Sequence, residues 1–165
     1  MRHRNQKSEE IGRLSPIMPK SVAKAIATFF GAGFFPKAPG TVGTLAALPL
    51  YLLLKKLKPI PYALVLLKLI VLGAMSAGKM EKEWGKDPSR VVIDEVCGIL
   101  LTLISRPAGF RDIALGTLLF RFFDIVKPPP IGIIDKKVPG GFGIMADDLA
   151  AGCISACILE LIRRR

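Results

Sequence analysis

The stretch LLFRFFDIVKPPP, residues 118–130, settles the class of fold. Arg121, Asp124 and Lys127 recur at i, i+3 and i+6, so on a helix they share one broad face with alternating sign. Three consecutive prolines then stop the helix, since proline lacks the N–H and its ring collides with the preceding turn. The flanking positions are Phe120, Phe122, Phe123, Ile125 and Val126, which leaves little polar face for solvent. A solvated salt-bridge ladder is one reading of the three charges. A polar cavity lined by an otherwise apolar helix accounts better for the phenylalanines.

Working outward, the pattern predicts helices over about 21–30, 44–57, 62–84, 87–105, 110–126 and 146–165. Asp87-Pro88 reads as a start signal, with Asp as N-cap and Pro in the first turn. Gly85 and Pro107 act as stops, and the three terminal arginines suit the negative end of a helix dipole. FFPKAPGTVGT (residues 34–44) and VPGGFGIM (residues 138–145) read as loops rich in Gly and Pro, with IGIIDKK as a short piece before the second. No alternating strand pattern bounded by hairpin turns is present. The expectation is an all-α, single-domain bundle of about six helices over residues 21–165, preceded by a basic tail over residues 1–20.

At 165 residues the chain has the size of one domain. Apolar residues make up 51%, yet 24 Lys and Arg face only 13 Asp and Glu, a net charge of +11. That apolar content excludes a disordered basic tail, and the charge points to an anionic partner, nucleic acid or an anionic membrane lipid. Nucleic acid is disfavoured, because the cations are dispersed and only two Tyr and one Trp are available for stacking. The longest uncharged run, residues 38–54, holds Pro49 and a turn-rich start, and residues 59–78 are interrupted by Lys68. Peripheral or shallow membrane association is therefore expected ahead of full spanning. The polar amino terminus does not read as a secretory signal.

The single histidine, His3, lies in the tail, which sets aside Ser-His-Asp hydrolysis, phosphohistidine chemistry and histidine-ligated zinc. Cys97, Cys153 and Cys157 are odd in number and sit in apolar runs, as small buried hydrophobes in a reducing compartment would. Cys157 and Arg163 match the spacing of cysteine phosphatases, but the intervening ILELI is helix core and not an anion-cradling loop.

Acids inside apolar helices carry more information, because an ionised carboxylate there is costly unless paired or metal-bound. VVIDEVCGILL supplies Asp94 and Glu95, about 100° apart on a helix, so that one buried partner and one solvent-facing partner is the plain reading. GGFGIMADDLAAG supplies Asp147 and Asp148, placed by the pattern in the first turn of a helix. With Asp124 these make five carboxylates near Arg121 and Lys127. Such a set suits one or two hard divalent ions, most naturally Mg²⁺, and a metal-carboxylate site beside cations suits phosphoryl chemistry. KAPGTVGT adds Lys37, Gly40, Thr41, Gly43 and Thr44, a point charge, two glycines and two hydroxyls ahead of a helix amino terminus. It lacks the Walker A spacing.

Three segments, FFPKAPGTVGTLAALPL, DPSRVVIDEVCG and FRFFDIVKPPPI with GGFGIMADDLAAG, together resemble the bacterial phosphatidylglycerophosphatase A family. The resemblance covers about residues 29–158. It implies a helical, Mg²⁺-dependent enzyme that removes the terminal phosphate of phosphatidylglycerophosphate at the cytoplasmic face of the cytoplasmic membrane. It also implies that the family's acidic motif falls on Asp94 and Glu95, its FD-x-x-KP motif on Asp124 and Lys127, its acidic pair on Asp147 and Asp148, and its loop motif on Lys37, Pro39, Gly40, Thr41 and Gly43. Pro129 and the long basic tail depart from the family pattern without touching these motifs.

The expected roles follow. Asp94, Glu95, Asp124 and Asp148 are catalytic and hold Mg²⁺, with Asp147 as a supporting ligand. Lys37, Gly40, Thr41, Gly43, Arg121 and Lys127 bind substrate and offset charge on the transferring phosphoryl group. Without a D-x-D-x-[TV] segment, direct hydrolysis is expected over a covalent aspartyl-phosphate. Two alternatives stay open: a Mg²⁺ phosphatase of a soluble metabolite, and a non-enzymatic adaptor on the membrane surface. A homo-oligomer is compatible with the chain.

Overall fold

The computed structural model describes residues 18–107 and 109–165. Among these the chain forms seven α-helices and no strand: α1 (Lys20–Ala27), α2 (Pro39–Leu54), α3 (Pro59–Trp84), α4 (Ile93–Thr102), α5 (Phe110–Val126), α6 (Ile131–Lys137) and α7 (Gly140–Arg163). A single 3₁₀ turn, Ala32–Phe34, lies between α1 and α2. The all-α expectation holds, and α5 takes the predicted bounds. The seventh helix is IGIIDKK, which closes into α6.

The burial of the ten-residue helix α4 explains the layout. Eight of its residues are buried (Ile93, Asp94, Val96, Cys97, Gly98, Ile99, Leu100 and Thr102), so α4 is the central rod and the others wrap it. It packs most extensively on α7, at a crossing made by two glycines. A Cβ on Gly98 would enter the Phe120 ring, and one on Gly152 would meet the Gly98 carbonyl at 2.6 Å. Absent side chains here let two backbones meet at van der Waals range. Two buried tyrosines in this apolar layer are satisfied: the Tyr62 hydroxyl donates to the Leu100 carbonyl at 2.7 Å, and the Tyr51 hydroxyl to the Pro107 carbonyl at 2.5 Å.

Helix direction places the site. α2, α4 and α7 begin, and α3 and α5 finish, at one end of the bundle, where residues from all five line a shared cavity. The other end carries Lys55, Lys56, Lys58, Arg106, Arg111 and residues 163–165. Between the ends, α3 presents Ile60, Leu64, Leu67, Val71, Leu72 and Met75 as exposed apolar side chains. α3 and α7 are long and apolar enough to cross a membrane, by length and composition.

Several expected boundaries move, each for a tertiary reason. α2 begins at Pro39 and not near residue 44, because Ala38 takes left-handed backbone (φ 50°) and Pro39 opens the first turn. α7 begins at Gly140 and not at 146, since GGFG packs on α3 so closely that a Cβ on Gly141 would overlap the Ala74 carbonyl. Burial there overrides glycine's low helix propensity. α4 starts at Ile93 and ends at Thr102, so Asp87-Pro88 does not start it. Residues 85–92 form bends and a turn instead: Val91 N–H donates to the Pro88 carbonyl at 2.8 Å, Val92 N–H donates to the Ala27 carbonyl at 2.8 Å, and Gly33 lies against the Arg90 carbonyl. α1 likewise ends at Ala27, before the expected residue 30. Cys97 is buried as expected, but Cys153 and Cys157 are exposed, because the helix face they share on α7 points outward. His3 and most of the basic tail lie outside the described residues.

Candidate active site

The cavity at the site end has a volume of about 950 Å³. Its walls include Asp94, Glu95, Asp124, Asp147, Asp148, Arg121 and Lys127, so α4, α5 and α7 bring together every acid singled out from the sequence. Pro39 and Gly40 line it from the first turn of α2. Lys37 is exposed and is not among the lining residues, and neither are Thr41 and Gly43. Gly43 serves packing, since a Cβ there would stand 2.7 Å from Val92 Cβ. Thr44, expected at the start of the helix, lies inside α2 and donates its hydroxyl to the Gly40 carbonyl at 2.9 Å.

Two kinds of wall meet in this cavity. On one, Asp94, Glu95 and Asp148 each bring a carboxylate oxygen to within 4.8 Å of the other two. Asp94 is 9% and Asp148 4% exposed. The nearest cation is Arg121, whose Nη1 stands 4.0 Å from Glu95 Oε1. Glu95 Oε2 and Asp148 Oδ2 are buried with no hydrogen-bond partner among the described residues. Burial, reinforced by the Glu95 and Asp148 charges, holds the Asp94 carboxyl well above the usual carboxylate range. Burial also raises Glu95, with Asp124 adding to the shift and Asp94 and Arg121 opposing it. Three carboxylates converging without a cation are unstable by themselves. Orphaned oxygens, hard donors and close spacing fit a divalent cation that prefers oxygen ligands.

Elsewhere in the lining, Asp124, Asp135 and Asp147 each have a base. Arg121 Nη1 donates to Asp124 Oδ2 at 2.6 Å, and Lys127 Nζ donates to Asp147 Oδ2 at 2.6 Å and Asp135 Oδ1 at 3.0 Å. Burial works against the Lys127 charge, but the two carboxylates outweigh it and keep the ammonium protonated beyond its ordinary range. Asp147 and Asp148 do not sit in a first helical turn: α7 starts at Gly140, so they lie two turns in, facing the cavity and the core. Being neighbours about 100° apart, they serve the two different walls.

Gly40 joins the walls. A Cβ at this position would overlap Glu95 Oε1 and stand 3.4 Å from Arg121 Nη1, so a side chain here would displace the Glu95 carboxylate from the Glu95–Arg121 edge. Asp135, Glu81, Lys86 and Asp87 also line the cavity and were not identified from the sequence. Asp135 had a weak signal, an acid eight residues beyond Lys127. Reading it required knowing that the proline turn folds α6 back.

With this geometry in view, comparisons with known proteins are informative. The pattern that defines the phosphatidylglycerophosphatase A family matches residues 25–163. Phosphatidylglycerophosphatase A of Escherichia coli is 40% identical over 139 residues, covering 83% of this chain and 81% of that protein. A Bacteroides thetaiotaomicron protein provisionally named a phosphatidylinositol-3-phosphatase is 39% identical over 153 residues, 88% of this chain and 96% of its own. Phosphatidylglycerophosphatase A of Haemophilus influenzae is 34% identical over 162 residues, 96% of each. No solved structure matches. A match across most of the chain, with the motif acids gathered around one cavity, places this protein in the phosphatidylglycerophosphatase A family.

Proposed function

We propose that the chain is a divalent-metal-dependent lipid phosphatase that hydrolyses phosphatidylglycerophosphate to phosphatidylglycerol and phosphate. The observation that carries this reading is the cation-poor cluster of Asp94, Glu95 and Asp148 in a cavity that Arg121 and Lys127 also line. Those three acids, with Asp124 adjacent, would hold Mg²⁺, and Asp147 supports the set through its bond to Lys127. A bound divalent ion supplies Lewis acidity toward phosphoryl oxygens and acidifies water. The chain's own residues supply the rest. Arg121, fixed by Asp124, presents guanidinium N–H groups toward charge that grows on the phosphoryl oxygens. Lys127 presents its ammonium from the α7 side. Carboxylates of the cluster left free of the ion accept the proton of the attacking water, and direct hydrolysis is the route.

We assign the site to the cytoplasmic face of the cytoplasmic membrane, with the apolar side of α3 immersed in lipid. The exposed Ile60, Leu64, Leu67 and Val71 support immersion. Cations stand at both ends of the bundle, Lys20, Lys24, Lys37, Lys79, Lys82, Lys86, Arg90 and Lys137 around the site end and Lys55, Lys56, Lys58, Arg106, Arg111 and Arg163 to Arg165 at the other, which supports contact with anionic headgroups.

The name of the Bacteroides relative supports a second lipid phosphomonoester, phosphatidylinositol 3-phosphate, as a competing substrate. Phosphate release in mixed micelles, with and without Mg²⁺, is measured on phosphatidylglycerophosphate, phosphatidylinositol 3-phosphate and a water-soluble phosphomonoester. Preference for the first by at least tenfold in kcat/KM supports the reading. Equal rates on the soluble ester favour a general phosphatase, and no release from any of them favours an adaptor.

A further inference from the structure

Lys127 caps α5 in left-handed backbone, φ 47°. The chain then turns through residues 128–130 and returns as α6, whose Gly132 sits so near the Lys127 carbonyl that a Cβ would stand 2.6 Å from it. This return brings Asp135 back to the lysine at which the turn began. Lys127 Nζ then donates to two carboxylates on different helices, Asp135 Oδ1 at 3.0 Å and Asp147 Oδ2 at 2.6 Å. The Asp147 side chain is 8% exposed and that of Asp135 35%, so one anchor is set in the core and the other stands at the cavity rim.

An ammonium has three donors on a flexible four-carbon stem. One carboxylate fixes where Nζ sits but leaves its remaining N–H groups free to swing. A second acceptor from another direction fixes their aim, with one donor left for substrate. We propose that Asp135 is a positioning residue: it orients Lys127 so that the remaining N–H faces a phosphoryl group held at the Asp94–Glu95–Asp148 cluster. This rests on the phosphatase reading above. Asp135 is not a further member of the carboxylate cluster, because its carboxylate is spent on Lys127, as is that of Asp147.

The role has a signature in the kinetics. Removing Asp135 loosens Lys127 but also takes a negative charge from a cavity that must admit an anion. Turnover therefore falls while substrate binding is not weakened. A residue that merely held α6 in place would lower both, or lower stability.

The test uses the full chain in detergent, with Asp135→Ala and Asp135→Asn. Without substrate, acetylation of Lys127 is followed by mass spectrometry; loss of the anchor is expected to speed it several-fold in Asp135→Ala. With substrate, kcat is expected to fall about tenfold from lost alignment. KM stays unchanged or drops, the metal concentration for half-maximal rate stays unchanged, and Asp135→Asn falls between wild type and Asp135→Ala because it keeps one acceptor oxygen. Unchanged Lys127 acetylation, a kcat within twofold of wild type, or a raised metal requirement overturns the proposal, the last by making Asp135 a ligand. If Asp135→Ala fails to fold, Asp135→Asn decides on the same readouts. A wild-type chain that releases no phosphate overturns the phosphatase reading instead, and the acetylation result separates the two failures.

Discussion

The two walls of one cavity solve the cost of buried charge in opposite ways. Around Arg121 and Lys127 each carboxylate has a base at hydrogen-bond distance, so that wall is stable as folded. Around Asp94, Glu95 and Asp148 three carboxylates face one another and two oxygens have no hydrogen-bond partner among the described residues, so the chain's own side chains do not offset that charge. The acids of the paired wall engage the chain's own cations, whereas two carboxylate oxygens of the unpaired wall engage none among the described residues. Composition alone does not separate them, since Asp147 and Asp148 are neighbours and belong to different walls.

The largest expected effect breaks the unpaired wall. Asp94→Asn should lower phosphate release about 10³-fold, the scale on which losing a preorganised electrostatic group acts. The helical circular dichroism should persist, because the change relieves repulsion. A variant that keeps more than a tenth of the activity would remove Asp94 from the site. Next, Gly40→Ala pushes a methyl group into Glu95 Oε1 and towards Arg121, and should cost about 10²-fold, the scale of an ångström-sized misplacement. Wild-type activity in Gly40→Ala would show that the two walls need not meet at that edge.

Stability should separate the walls by sign. In chelator, Lys127→Ala leaves Asp147 buried without its base and should destabilise by about 1–3 kcal/mol. Asp148→Asn should leave the melting temperature unchanged or raise it. Both variants losing stability equally would erase the contrast. Adding Mg²⁺ at about 100 times its dissociation constant should stabilise the wild type by about 2.7 kcal/mol, and should do so far less in Asp94→Asn. Differential scanning fluorimetry measures both.

The smallest effect is in pH. The folded Asp94 carboxyl binds its proton more tightly than in the unfolded chain, so the folded state holds the extra proton. Apo stability should therefore fall as pH rises from the ordinary carboxylate value towards the raised one. Saturating Mg²⁺ should flatten that slope. A slope of the opposite sign in chelator would mean that Asp94 is paired.

Legibility in the sequence tracked how local the cause was. α5 was readable to its ends because an apolar run, a charge ladder and three prolines all lie within it. Asp94, Glu95, Asp124, Asp147 and Asp148 are readable as candidates because acids in apolar helices need a reason, and the structure gathers all five around one cavity. The glycine-rich stretches misled: KAPGTVGT and GGFGIM looked like loops and are helix starts, because their small residues permit helix contacts made far away in the chain. Lys37 illustrates the reverse. Its loop motif suggested a charge at the site, and the structure leaves it exposed and outside the cavity lining.

The sequence by itself determined that the chain is helical, greasy and basic, and that a few acids stand where solubility does not call for them. Periodicity, proline stops and the cost of burying charge act over a few residues, so they can be read along the chain. Only the tertiary structure decided which acids share a wall, that Asp135 returns to Lys127, and that Gly40 lies against the Glu95 carboxylate. Those depend on how α2, α4, α5 and α7 converge at one end of the bundle. Convergence of that kind is fixed by packing between residues distant in sequence.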